Sequence, residues 1–293
     1  MLGKQKGRSM IICRWFISLQ LFLLCIFIYL VGYDPPQSEA QTDSSEQSDQ
    51  TSQSTKPKWG PRNLEAFQNA IKTGQVGTIS GRALFKGEPP PPKELRVTLN
   101  KKTCGHTYQS ESLLISEKRG VQNVVVSLLR IPKGLPIETD DKPIQMDQQK
   151  CVFIPHVLLV PAGAEFEVLN SDPLLHNFHT IGKHNKEINI MQTKTKRRRL
   201  PVTFPEPDTI EVVCDVHSWM KAWIIVTEHP YYALTDADGQ FRLKDVPEGT
   251  YRIKAWHEEL GKQPVQKVVV TTNQDTQIDF EFSQPQQAAP IKH

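Results

Sequence analysis

The sequence predicts an all-β protein built from sandwich-type sheets, and three observations carry that prediction. Twenty-two prolines and sixteen glycines imply many turns. From residue 77 onward, short β-branched and aromatic runs recur, each bounded by Pro, Gly, Asn or Asp. Composition excludes helix-rich repeats and collagen-like chains, and no repeat of solenoid period is present. The 293 residues suffice for one large domain or two ordinary ones. With 35 basic against 32 acidic residues, the charge is too balanced for nucleic acid to be a partner.

The chain opens with Lys4, Lys6 and Arg8 and no acid, followed by an apolar run at 15–31 broken only by Ser18 and Gln20. Residues 1–33 therefore read as a signal anchor or a signal peptide; the length and the poor cleavage pattern favour the uncleaved anchor. The basic end would stay in the cytoplasm, placing the body in the periplasm or at the cell surface, or secreting it if the segment is cleaved. Residues 34–62 read as a disordered linker, because 34–58 hold a single apolar side chain, Ala40. A short helix is expected within 63–76, capped by Asn63, ended by Gly74, with Leu64, Phe67 and Ile71 on one face.

The body then turns to a period of two. Strands are expected at 78–85, 121–129, 157–160, 165–169, 209–214 and 223–227. The last third adds 231–234, 240–243, 250–256, 265–270 and 278–282, where Ile278, Phe280 and Phe282 alternate with Asp279 and Glu281. Residues 284–293 read as a fraying tail.

One constellation carries chemistry. Cys214, His217 and Met220 recur at three-residue intervals directly after a strand, where a tight loop can turn all three toward one point. His176 offers a fourth ligand. Two His, one Cys and a weak axial Met form the ligand set of a blue-copper electron-transfer site. Structural zinc sites seldom include Met, and the C-x2-C spacings of zinc ribbons and iron–sulfur modules are absent. The bland alternative is a buried Cys, a core-filling Met and two locally satisfied His.

These residues also carry a family resemblance. Phe153-x-Pro155, Val160-x-Ala162-Gly163, Asn170-x-Asp172, His176-Asn177 and Cys214-x2-His217-x2-Met220 resemble the cupredoxin family over about 151–228. The closing loop has the spacing of amicyanin, and it is similar to exported plastocyanin-like and methylamine-utilisation-like bacterial proteins. The resemblance implies a Greek-key sandwich and one type 1 copper. It makes Asn177 a supporting residue whose backbone N–H bonds the Cys214 sulfur, and His217 the solvent-edge ligand through which electrons pass.

The remaining exported cysteines, Cys104 and Cys151, read as a disulfide, with a second metal site including His106 and His156 as the alternative. His179 is expected on the opposite strand face from the ligands. His257-Glu258 reads as strand-end packing with solvent contact, and Asp236-Ala237-Asp238-Gly239 as a hairpin turn rather than a calcium loop. The basic run 194–199 is a solvated loop or a docking site for an acidic redox partner.

Residues 232–282 contain Thr235-Asp236-x-Asp238-Gly239-x-Phe241 and Val246-Pro247-x-Gly249-x-Tyr251. This resembles the carboxypeptidase regulatory-like, transthyretin-like sandwich, grouped with carbohydrate-binding-like folds. The opening strands usual in that family lie far upstream, as Gly77-Thr78-Ile79-Ser80-Gly81 and Val121-Gln122-Asn123-Val124-Val125-Val126. The expected division is therefore a regulatory-like sandwich in two parts, 77–147 and 229–283, with a copper module at 148–228 inserted between them. Three consecutive modules are the alternative. The function expected is electron transfer to a redox partner protein, with no enzymatic activity of its own. Copper carriage or storage is a second reading, and binding of carbohydrate or a cell-envelope partner a third.

Overall fold

The computed structural model describes residues 59–139, 142–193 and 199–284. The N-terminal apolar segment, the linker as far as residue 58, the basic run at 194–198 and the tail from 285 lie outside the described residues. Among the described residues no helix is long and apolar enough to cross a membrane.

Among the described residues the longer of two helices, Leu64–Lys72, is set by its ends. Asn63 Oδ1 accepts the N–H of Ala66 at 2.7 Å. Gly74, at φ 71°, turns the chain so that its N–H reaches Ile71 O and that of Gln75 reaches Ala70 O. Phe67 and Ala70 face inward while Ile71 is exposed, which corrects the expected face. The inward direction is fixed by Phe67, which packs between the rings of Tyr231 and Tyr251.

Strand Val76–Phe85 alternates cleanly, with Ile79, Ala83 and Phe85 inward. It pairs antiparallel with Gln240–Pro247, and on its other side runs parallel to Asp275–Gln277 and Phe280–Phe282. Gly81 permits that approach, since a Cβ there would collide with the Ile278 carbonyl. A second sheet places Val125–Leu129 between Tyr232–Leu234 and Gly249–His257, with Gln266–Val270 at the far side. The two sheets enclose Ile79, Leu128, Phe241, Ile253, Phe280 and Phe282. The Asp236–Gly239 turn is tight, Asp236 Oδ1 accepting the N–H groups of Asp238 and Gln240. It links strands of opposite sheets instead of two hairpin partners.

Besides a two-stranded hairpin of Glu94–Arg96 with Thr107–Gln109, two further sheets use strands between Gln145 and Thr227. One has the order Asn189–Gln192, His176–Ile181, Asp208–Val213, Lys221–Thr227, Val157–Pro161; the other runs Arg199–Thr203, Glu165–Asn170, Gln145–Gln149, Val152–Ile154. Between them lie Met146, Phe153, Phe166, Phe178, Phe204, Ile210 and Ile224. Lys221–Thr227 reads as a nearly continuous apolar run because both its faces are covered. Ala222, Ile224 and Val226 enter this core, while Ile225 joins Val125 and Val157 in a third cluster between the sandwiches. Trp223 meets Trp256 there edge to face at 5.1 Å.

Strands Gln145–Gln149, His176–Ile181, Asn189–Gln192 and Arg199–Thr203 were not expected from sequence. Their inward positions include polar residues that find partners on the facing sheet: Gln148 Nε2 donates to Gln192 Oε1 at 2.6 Å. One boundary also needs correction. Glu94–Arg96, the short helix Lys101–Cys104 and Thr107–Gln109 fall in the stretch expected to begin the first sandwich. They pack on the second core instead, through Leu95, Val97 and Tyr108. Cys104 and Cys151 are joined by a disulfide that fastens this excursion to the second sandwich.

Two consequences can be measured. In a non-reduced digest, the Cys104 and Cys151 peptides should travel together and Cys214 should carry the alkylating label. Recovery of Cys214 in a mixed disulfide would contradict the pairing. Buried His229 and His257 both have pKa values pushed down to about 4 by burial. Each uses Nδ1 as an acceptor, from the N–H of Tyr231 and from those of Glu259 and Leu260 respectively. The unfolded chain takes up protons near pH ~6.5, while the folded one refuses them until about 4. Stability is therefore full above pH ~6.5 and falls toward pH ~4, by as much as about 3 kcal/mol per histidine. Denaturant midpoints unchanged between neutral pH and pH ~4.5 would refute this.

Candidate metal centre

Cys214 follows directly on Asp208–Val213, and the strand Lys221–Thr227 begins seven residues later. The intervening loop is folded by two backbone hydrogen bonds, Cys214 N–H to Met220 O and Met220 N–H to His217 O. Those bonds curl residues 214–220 over the end of the second core, where Cys214 and Met220 are both buried. His176 opens the neighbouring strand, His176–Ile181, which pairs directly with Asp208–Val213. Sheet pairing thus brings residues 38 positions apart to one point.

Three atoms that could serve as ligands converge. Cys214 Sγ lies 3.9 Å from His176 Nδ1 and 3.8 Å from His217 Nδ1, and the two nitrogens are 2.9 Å apart. A point equidistant from the three lies about 2.1 Å from each, the range of metal–nitrogen and metal–thiolate bonds, about 2.0–2.3 Å. Each imidazole turns Nδ1 inward because Nε2 is engaged elsewhere: His176 with Asp172 Oδ2 at 2.9 Å, His217 with Asn100 Oδ1 at 2.9 Å.

The surrounding segments are tied together. The Asn177 N–H points at Cys214 Sγ at 3.5 Å. Its side chain binds Asp215 twice, donating to Oδ2 at 2.8 Å and accepting the backbone N–H at 2.6 Å. Asp172 accepts the N–H groups of Lys150 and Cys151, both at 2.7 Å, as well as the His176 contact. Burial opposes ionisation of Cys214, but His176 and the Asn177 N–H outweigh it and hold the thiol below its ordinary pKa. Burial likewise opposes charge on His176, yet Asp172 and Cys214 raise its pKa. His217 is pushed down to about 4 by burial and by the charge of His176. A thiolate and a neutral imidazole are the forms that bind metal.

The expectation of a solvent-edge His217 is overturned. Its side chain is fully buried beneath Asn100 and beside Trp219, whose ring lies 5.1 Å away. The cover comes from the excursion 94–109, which sequence reasoning assigned elsewhere. His179 stands apart, bound to Asp215 and Glu187. The alternative second site does not assemble: the two sulfurs are bonded to each other, His106 is exposed, and His156 pairs with Glu258. Glu258, expected to touch solvent, is buried between the sandwiches, and Lys221 Nζ approaches it at 3.7 Å. Arg199, the described end of the basic run, grips Glu167 at 2.6 and 2.8 Å. Asn100 and the His156–Glu258 pair left no local sequence signal, because each contact spans more than a hundred residues.

Residues 221–283 match the family model of the carboxypeptidase regulatory-like domain. That match covers most of the strands of the first sandwich but neither Val76–Phe85 nor Val125–Leu129, with which they pair. No curated protein matches the chain by sequence. Among solved structures, the chain is similar to the copper-containing nitrite reductase of Thermus scotoductus SA-01, at 23% identity and a TM-score of 0.28. This covers 31% of this chain and 23% of the reductase, so the chain spans less than a quarter of that enzyme. A purple cupredoxin from Nitrosopumilus maritimus is 21% identical over 28% of this chain and 98% of its own, with a TM-score of 0.25. A reduced amicyanin mutant is 21% identical over 35% and 98%, with a TM-score of 0.27. Over residues 221–283 the chain is thus similar to the carboxypeptidase regulatory-like domain, and the solved structures it partly resembles include a copper-containing nitrite reductase, a purple cupredoxin and an amicyanin.

Proposed function

We propose that His176, Cys214 and His217, with Met220 as a weaker fourth partner, would hold a type 1 copper ion, and that the protein serves in electron transfer. The observation that carries this reading is the convergence of one thiol and two Nδ1 atoms around a point at metal-bond distance from all three. The donor set fits copper, since the sulfur suits Cu(I) and the imidazoles suit both oxidation states. When bound, copper supplies one-electron cycling through the Cys214 thiolate.

The residues around the site have their own tasks. Asn177 and Asp215 lock the two ligand segments to each other, which limits rearrangement when the charge changes. Asp172 and Asn100 fix the imidazoles, and burial of all three ligand groups excludes water. A closed site of this kind favours keeping the metal over handing it on, so electron transfer stands ahead of copper carriage. The partner is a redox protein, the body is exported and tethered by residues 1–33, and no catalysis is assigned to it. In this reading residues 145–228, with the excursion 94–109 packed on them, form a cupredoxin-like Greek-key module inserted in a transthyretin-like sandwich made of Val76–Phe85, Val125–Leu129 and residues 229–283.

Loading the full-length protein with Cu(II) should give an intense blue absorption from Cys214 thiolate-to-metal charge transfer. Cys214→Ala should abolish it, and Met220→Leu should keep the colour while shifting the reduction potential. A colourless Cu(II) protein, or colour that survives Cys214→Ala, would sink the proposal.

A further inference from the structure

We infer that Asn100 is a positioning residue for His217, and that the Cys104–Cys151 bridge holds it in place; the inference deepens the type 1 reading and rests on it for the identity of the metal. Asn100 stands just before the helix Lys101–Cys104 in a left-handed conformation, φ 52° and ψ 34°. Its backbone carbonyl takes the N–H groups of Thr103 and Cys104. Asparagine at such a position usually caps the helix with its side chain. Here it caps nothing. Its Oδ1 instead reaches His217 Nε2 at 2.9 Å, across 117 positions of sequence.

That contact selects a tautomer. An amide oxygen only accepts, so Nε2 must carry the proton, which leaves the Nδ1 lone pair free to face Cys214 and His176. The contact also closes the site. His217 is fully buried while Asn100 is exposed, so the asparagine is the outer cover on that edge.

The bridge gives the cover its rigidity. Cys104 lies one helical turn after Asn100, and its sulfur, that of Cys151 and a ring nitrogen of His217 all lie within 4.8 Å of one another. On the other half of the bridge, the Cys151 N–H donates to Asp172 Oδ2 at 2.7 Å, the same oxygen that meets His176 Nε2. The Cys151 carbonyl accepts from Trp219 Nε1 at 3.1 Å. One disulfide therefore fastens the anchors of both imidazoles, Asn100 through Cys104 and Asp172 through Cys151.

The test begins with metal-free full-length protein, so that it does not depend on the colour of the copper form. Nitrogen-15 NMR should find His217 as the Nε2–H tautomer in the wild type and as a mixture in Asn100→Ala, with Asn100→Asp restoring the single tautomer. In copper-loaded protein, transfer of Cu(I) to bathocuproine disulfonate should be about 10–100-fold faster in Asn100→Ala. Added imidazole should alter its Cu(II) resonance where the wild type is unaffected. Replacing both Cys104 and Cys151 by Ser should quicken transfer as well; an unchanged rate would remove the bridge from the inference. A wild-type His217 protonated on Nδ1, or Asn100→Ala matching the wild type in tautomer and transfer rate, would overturn it. A colourless wild type whose tautomer still depends on Asn100 would sink the type 1 reading and leave the positioning role intact.

Discussion

A thiol and two imidazoles lie buried at the end of an apolar sandwich, and the rest of the second module is organised by what that burial costs. Polar groups removed from water destabilise the fold by a few kcal/mol each unless they are paired. Here every outward nitrogen and the sulfur has a partner: Asp172, Asn100 and the Asn177 N–H. Those partners are themselves satisfied, Asp172 by two backbone N–H groups and Asn177 by Asp215 and Asn189. A layer of buried amides, Gln148, Asn170 and Gln192, lies close by in the same sheets. Connected polar networks of this kind resist displacement, because moving one member leaves others unpaired.

The two sandwiches meet through the strand that leaves the 214–220 loop. Lys221–Thr227 gives one face to the second core and the other to the cluster of Val125, Val157 and Ile225. The edge-to-face Trp223 and Trp256 and the buried His156–Glu258 pair join the same contact from both sides. The 214–220 loop is therefore followed immediately by residues locked between layers. The first sandwich acts as a mount, its described core containing neither Cys214 nor the two imidazoles.

Much of this was legible because it is periodic or local. The alternation around Phe280 and Phe282, the Asn63 cap and the three-residue spacing of Cys214, His217 and Met220 each mark a structure formed by neighbours in sequence. The strands Gln145–Gln149 and His176–Ile181 were not legible, because polar residues, Gln148 and His176, share their inward faces with Met146 and Phe178 and find their partners only at a distance. Ile71 misled for a related reason: the helical period gives a stripe, but the rings of Tyr231 and Tyr251 decide which edge of it is buried. The burial of His217 depends on a hairpin and disulfide from a segment with little hydrophobic signal of its own. No pattern around residue 217 announces Asn100.

If Cys214 and the two imidazoles share one copper ion, its coordination shell must contain sulfur. X-ray absorption at the copper edge of the full-length, singly loaded protein reads that shell. One sulfur and two nitrogen neighbours are expected at about 2.0–2.3 Å. A first shell of nitrogen and oxygen alone, with no sulfur, would contradict it.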